Sequence, residues 1–372
     1  MKKLIALLLA LTLCFSLVAC GGGNTASDSN ANSNSSSNTS ADTEKKPVEN
    51  TGKTYTLSIS TPQPAESGAG KVLQGACDAM TEKSNGQLKF DIYFSSQLVP
   101  VFKSLESVQN GTVDIAFFPT STHADYLPIN GNLLILPFIG YPGDSSIDTV
   151  YADLCKEFPE IVSEVTDKGV TPLSTFFFGR EDLYFTNDKS VKTPEDFAGL
   201  KVAISNAPIG SLVDDYGGAP VTTTQGDIYT NLSGGVTESV IHHTSFLLAG
   251  GCQELIKSAT KFGSTGLVRE MGMYVIKTET LEGMPSDLQA ILKEGIAGVG
   301  KGTVAADEGI YNMITKTLTD AGCVFTELTD EQVVPFAEAA KTVQSEVIAQ
   351  VSGSVPNAEA ILAKAQELSA QY

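Results

Sequence analysis

The sequence predicts an α/β protein of two domains. Short apolar strands alternate with helical segments from Tyr55 onward, glycines stand at the helix exits, and Asp287–Ala321 holds helical periodicity for more than thirty residues. Such alternation implies parallel sheets with both faces covered. About 320 residues lie beyond an N-terminal leader and linker, enough for two domains of ordinary size.

In chain order, Tyr55–Ile59 alternates as a strand, and the Pro- and Gly-rich stretch Thr61–Gly70 is a loop. A helix is expected over Lys71–Lys83, closed by Gly86, then a strand over Leu88–Phe94. Val101–Asn110 is predicted as a helix ending at Asn110-Gly111, followed by a buried strand, Val113–Phe118. Leu133–Phe138 is predicted as a further strand and Ser146–Val165 as one long helix. In the second half, strand Val170–Phe178 leads to a polar turn carrying Arg180. A one-turn helix opens at Thr193-Pro194 with acidic Glu195 and Asp196 and exits at Gly199, before strand Lys201–Ser205. Helix Pro208–Tyr216, strand Pro220–Thr223, helix Ile228–Leu232, strand Ser239–His242 and strand Met271–Lys277 follow. From Pro285 onward the pattern is nearly all helical.

Composition narrows the function. The net charge of −19 argues against nucleic acid and against an anionic membrane surface as partners. Among 24 basic residues only Arg180 and Arg269 are arginines. Arginine is the rigid fork for planar anions, so this pair stands out as candidate anion ligands. No G-x-S-x-G or H-E-x-x-H pattern occurs. Ser67–Val72 departs from a phosphate loop, with Ala65 at the first glycine position and Val72 where Ser or Thr would hold magnesium. Neither catalysis nor a metal or cofactor is expected; binding is.

The N-terminus has its own logic. Lys2 and Lys3 precede the apolar run Leu4–Ala19, too short for a membrane span, and Leu17-Val18-Ala19-Cys20 resembles a lipobox in which Cys20 takes a lipid. Residues 21–53 are a Gly/Ser/Asn-rich tether. Of the later cysteines, Cys77 is expected to be a buried small hydrophobe, and no disulfide pairing is assigned.

In open α/β sheets, ligands bind beyond the carboxyl ends of strands. Arg180, His242, His243, His123 and Arg269 all fall at or near predicted strand ends. Aromatics near the same ends, Phe118, Tyr141, Phe177, Phe178, Tyr184 and Phe246, are candidates for an apolar wall.

The chain also resembles the solute-binding proteins of tripartite ATP-independent (TRAP) transporters, the dicarboxylate-binding family, over roughly Tyr55–Leu368. The signposts are Gly86-Gln87-Leu88-Lys89, Gly111-Thr112-Val113-Asp114-Ile115-Ala116, Leu136-Pro137-Phe138 and Val191–Val202, then Gly217–Val221 and Tyr229-Thr230-Asn231-Leu232. The resemblance implies a periplasmic-binding-protein-like fold: two hinged α/β domains with parallel or mixed sheets, a long bridging helix and a cleft that closes over a small organic acid, aromatic acids included. The lobes are expected over 54–178 plus 270–308 and over 179–269 plus 309–372. A small and a large integral membrane subunit are the implied partners, with the protein a monomer, extracytoplasmic and lipid-anchored. A ligand-sensing lipoprotein and a binder of neutral solutes are the alternatives.

Three departures from the family pattern bear on the site. Ala203 and Leu183 stand where family arginines usually hold the carboxylate, and His242 where an asparagine is frequent. Either Arg180 or Arg269 replaces the clamp, with Arg180 favoured, or the solute is not a simple carboxylate.

Overall fold

The computed structural model describes residues 52–372 apart from residue 224. The signal sequence, Cys20 and nearly all of the tether lie outside the described residues.

Ten strands form one mixed sheet. They are β1 (Tyr55–Ser60), β2 (Leu88–Tyr93), β3 (Ile115–Pro119), β4 (Val170–Phe185), β5 (Lys201–Ile204), β6 (Ala219–Thr222), β7 (Ser239–His243), β8 (Ser258–Phe262), β9 (Val268–Lys277) and β10 (Val324–Leu328). The order is β2-β1-β3-β9-β4-β7-β5-β6, with β8 also on β4 and β10 on β8. The outer pairs are parallel, as strand–helix alternation requires. The centre is antiparallel, because β9 inserts between β3 and β4.

β4 is the axis of the sheet. Its first part pairs with β9, and Leu183–Phe185 lies between β7 and β8. The expected turn at Arg180 is therefore a bulge within one continuous 16-residue strand. Phe176 and Phe178 join a core with Leu57, Leu88 and Ile276, whereas Leu183 and Phe185 join another with Val202, Ile241 and Phe262.

Eleven α-helices surround the sheet among the described residues: α1 (Gly68–Lys83), α2 (Ser104–Gln109), α3 (Ser146–Glu157), α4 (Glu160–Thr166), α5 (Ala207–Asp215), α6 (Ile228–Ser233), α7 (Thr244–Ala249), α8 (Thr278–Glu282), α9 (Ser286–Asp320), α10 (Asp330–Val351) and α11 (Ala358–Ser369). At 1.5 Å per residue α9 spans about 50 Å. Its first half packs Leu288, Ile291, Leu292, Ile296 and Val299 into the Leu57 core, and its second half packs Ile314 and Leu318 beside Val240 and Phe246. Glycines let it lie close to its neighbours. A Cβ at Gly300 would stand 2.4 Å from Ser174 Oγ, and one at Gly295 would meet the Met80 sulfur at 2.2 Å.

Several expectations are revised. Ser146–Val165 is two helices, since Pro159 has no N–H to continue the first, and Phe158 leaves helical geometry at φ −123°. Leu133–Phe138 is no strand but a single 3-10 turn (Leu133–Ile135) in a buried loop, its preceding backbone N–H groups at Ile129 and Asn130 donating to Glu164. An apolar run alone does not separate these states. β8 and β10 were not foreseen; β10 is a short, largely exposed strand with weak alternation. The end of α10 and α11 pack Val347, Val351, Ile361 and Leu362 against Leu134, Ile139 and Leu154. The start of α10 packs Phe336, Ala340 and Val343 with Leu183 and Val202 instead. Cys77 is buried beside Met80, and all four described cysteines are unpaired.

Candidate functional site

A cavity of about 1020 Å³ opens along the middle of β4. The β4 bulge, Arg269 of β9, the loop Gly143–Ser145 and one face of α9 enclose it. That face follows from helical spacing: Val304, Asp307, Glu308 and Tyr311 lie on one stripe.

The bulge sets the chemistry. β4 and β9 hold one register from Ser174–Tyr274 to Phe178–Glu270, and the extra residue at Gly179 then places Arg180 opposite Arg269. Gly179 has φ +62°, and a Cβ there would lie 2.7 Å from the Cβ of His243, so only glycine fits. The chain's two arginines become cross-strand neighbours, an arrangement that destabilises a sheet by like-charge repulsion.

The two guanidinium groups are treated differently. Arg180 is clamped by Asp182, Nε to Oδ2 at 3.0 Å and Nη2 to Oδ1 at 3.2 Å, and Asp182 is fully buried. Arg180 Nη1 donates to the Ser264 carbonyl, and the Tyr311 ring lies 5.8 Å from the guanidinium carbon. Burial opposes the Arg180 charge, but Asp182 and Tyr311 outweigh it and the pKa rises. Arg269 has no such clamp. Its Nε is buried without a hydrogen-bond partner among the described residues, and burial, then the charge of Arg180, lower its pKa against the opposing charges of Asp182 and Asp307. Arg269 is therefore a cavity-lining guanidinium with spare donors.

Across from it, Asp307 is fixed in place. Its Oδ2 accepts the Gly179 N–H at 3.0 Å, and its Oδ1 accepts the Ser245 hydroxyl. Ser245 Oγ in turn lies 2.7 Å from His243 Nδ1. Burial lowers the His243 pKa, with the Asp307 charge opposing.

His123, Phe118, Tyr184, His242, Ala203 and Leu183 are not among the cavity's lining residues. His123 is buried, takes the Leu105 N–H on Nε2 at 3.3 Å near the start of α2, and meets the Phe118 ring at 4.2 Å, tilted by 42°. Burial pushes its pKa down to about 4. Phe118 is wholly inside the Val108–Met273 core. Tyr184 is buried with its hydroxyl on Thr244. His242 stacks on Phe246 at 4.0 Å and accepts the His243 N–H on Nδ1 at 2.9 Å; burial, then His243, drive its pKa well down. Ala203 is packed opposite Val240, and Leu183 is equally buried. The two positions where the family pattern has arginine are thus buried in cores and do not line the cavity.

Of the charged and histidine candidates, only Arg180 and Arg269 line the cavity. Phe177 and Phe178 contribute to its wall, whereas Tyr141 and Phe246 do not line it. Asp307, Glu308 and Tyr311 were missed. Their helical spacing was readable, but a polar helical stripe looks the same whether it faces solvent or a cleft.

The sequence model of the DctP family, described as bacterial extracellular solute-binding protein family 7, matches residues 59–350. The chain belongs to this family. A solute-binding protein of Chromohalobacter salexigens is 26% identical over 293 residues, 75% of this chain and 84% of that protein. Among solved structures, a TRAP periplasmic solute-binding protein of the same organism with bound D-glucuronate superposes with a TM-score of 0.73 at 21% identity, covering 84% of this chain and 99% of that one. A marine metagenome TRAP solute-binding protein holding 3-hydroxybenzoate gives a TM-score of 0.75 at 18% identity, covering 86% and 99%. These likenesses show the fold. The family's members are extracellular binding proteins, and among the described residues of this one no helix is long and apolar enough to cross a membrane.

Proposed function

We propose that this family member captures a small organic acid in the β4–β9 cavity and delivers it to the membrane subunits of a TRAP-type transporter. One observation carries the reading: Arg269 lines the cavity directly opposite Arg180, and its Nε has no partner among the described residues. A partly buried cation beside a like charge is costly until an anion joins it. A carboxylate would relieve both terms. Arg269, not Arg180, is then the principal carboxylate post, because Asp182 already occupies the Arg180 fork. The solutes held by the structural relatives, D-glucuronate and 3-hydroxybenzoate, are organic acids, which supports the same class here.

β4 and α9 each join two cores, so lobe closure would flex them near the cavity. Lipidation at Cys20, with the polar tether, would hold a monomer at the outer face of the membrane. The test is calorimetric titration of the soluble protein with organic acids and matched neutral analogues. Acid binding that Arg269→Ala abolishes supports the proposal; a preference for the neutral analogues overturns it.

A further inference from the structure

Resting on that reading, we infer that the solute carries one carboxylate and, across the cleft from it, an ammonium group, which Asp307 receives. The class is an amino acid or a close zwitterionic relative, and a dicarboxylate is disfavoured.

Charge balance argues for this. Beneath the cavity floor, Asp182 already neutralises Arg180. Within the cavity, Arg269 and Asp307 are one charge of each sign. The mouth adds Lys301 against Asp144, Asp148 and Glu308, and the whole chain carries −19. A cleft built for a dianion would show an excess of positive charge; this one shows the reverse. One negative charge has a receptor in Arg269, and a second would be placed against Asp307 or Glu308.

Geometry argues for it as well. Asp307 is held by the Gly179 N–H and the Ser245 hydroxyl, so its carboxylate does not turn away. Two hydrogen bonds leave acceptor capacity on a carboxylate, which has about four lone-pair sites. The Gly179 bulge that sets Arg180 opposite Arg269 also anchors Asp307, so Arg269 and Asp307, the two poles of the site, are tied to one backbone segment. Glu308, exposed on the same helical stripe, extends the negative pole toward the opening. Tyr311, whose ring lies near Arg180 and Lys261, lines the cavity on the same stripe.

The experiment is titration calorimetry on three matched series of equal chain length: amino monocarboxylates, hydroxy monocarboxylates and dicarboxylates. Wild type is compared with Asp307→Asn and with Glu308→Gln, the latter an exposed change that leaves the fold intact. The tightest binder is expected among the amino acids. Asp307→Asn should weaken it at least tenfold and Glu308→Gln about threefold, while neither change weakens the parent carboxylate lacking the amino group. Tightest binding by a dicarboxylate or hydroxy acid, lost in Arg269→Ala, overturns the zwitterion inference and leaves the organic-acid reading standing. Equal tightening of every acid in Asp307→Asn makes Asp307 a mere counter-charge and also overturns it. Binding by no acid in any series removes the Arg269 reading and this inference together.

Discussion

Arg180 and Arg269 face each other across the β4–β9 ladder, and only Arg180 has a carboxylate partner in Asp182. Function and stability therefore pull against each other at Arg269. Arg269→Met should stabilise the ligand-free protein by about 1 kcal/mol, since an unpaired charge is exchanged for an apolar stem. The same change should weaken acid binding by about 10–100-fold, the worth of a charge-assisted hydrogen bond. Urea denaturation and calorimetry on one preparation read both effects; a destabilised variant would show that Arg269 is structural.

Asp182 is the counterpart case. It is fully buried, clamps Arg180 and accepts the Phe262 N–H at 3.0 Å. Asp182→Ala should cost about 3–5 kcal/mol by leaving a buried charge alone. A urea midpoint unchanged from wild type would contradict this.

Gly179→Ala combines a left-handed φ of +62° with a Cβ 2.7 Å from the Cβ of His243. The expected cost is about 1–3 kcal/mol. Because the bulge sets the Arg180–Arg269 register, acid affinity should fall as well. Thermal melting and titration of the same variant test the linkage; lost stability with wild-type affinity would separate the bulge from the site.

Glu270 supplies a pH prediction. Its carboxyl is pushed up to about 7 by burial, against hydrogen bonds from Ser121 and the Met271 N–H. A raised carboxyl pKa means that the folded state holds the proton more tightly than the unfolded one. The contribution is full below the unfolded pKa near 4.5 and is lost as pH rises through about 7. His123, lowered to about 4, works in the opposite sense, losing its contribution as pH falls from 6.5 toward 4. The difference between wild type and Glu270→Gln isolates the carboxyl. The variant should gain on wild type by on the order of 3 kcal/mol between pH 4 and pH 8. A pH-independent difference in urea stability would rule this out.

Much of the fold was legible because local signals agreed with the final packing. Thr193, Asp196 and Pro194 do form a capping box with proline at the first turn, and the long periodic stretch near Asp287 is α9. The failures are physical too. Pro159 was in plain view but was outvoted by apolar periodicity on both sides. β10 has too few buried positions to alternate. At the site, scarcity of arginine singled out the two residues that meet at the β4–β9 cavity, whereas His123, Phe118 and Tyr184 were drawn into cores that strand-end position alone does not reveal. The Gly179 bulge needs the β4–β9 register, which depends on residues about ninety positions apart.

The insertion of β9 between β3 and β4 has a consequence for how the chain is made. Pro119 pairs with Gly272, so about 150 residues must emerge before β3 finds its partner. Until then Ile115–Pro119 and the phenylalanines of β4 present open edges to any neighbouring chain. A late strand is the seal, and a nascent chain stopped short of residue 268 is the form of this protein most exposed to aggregation.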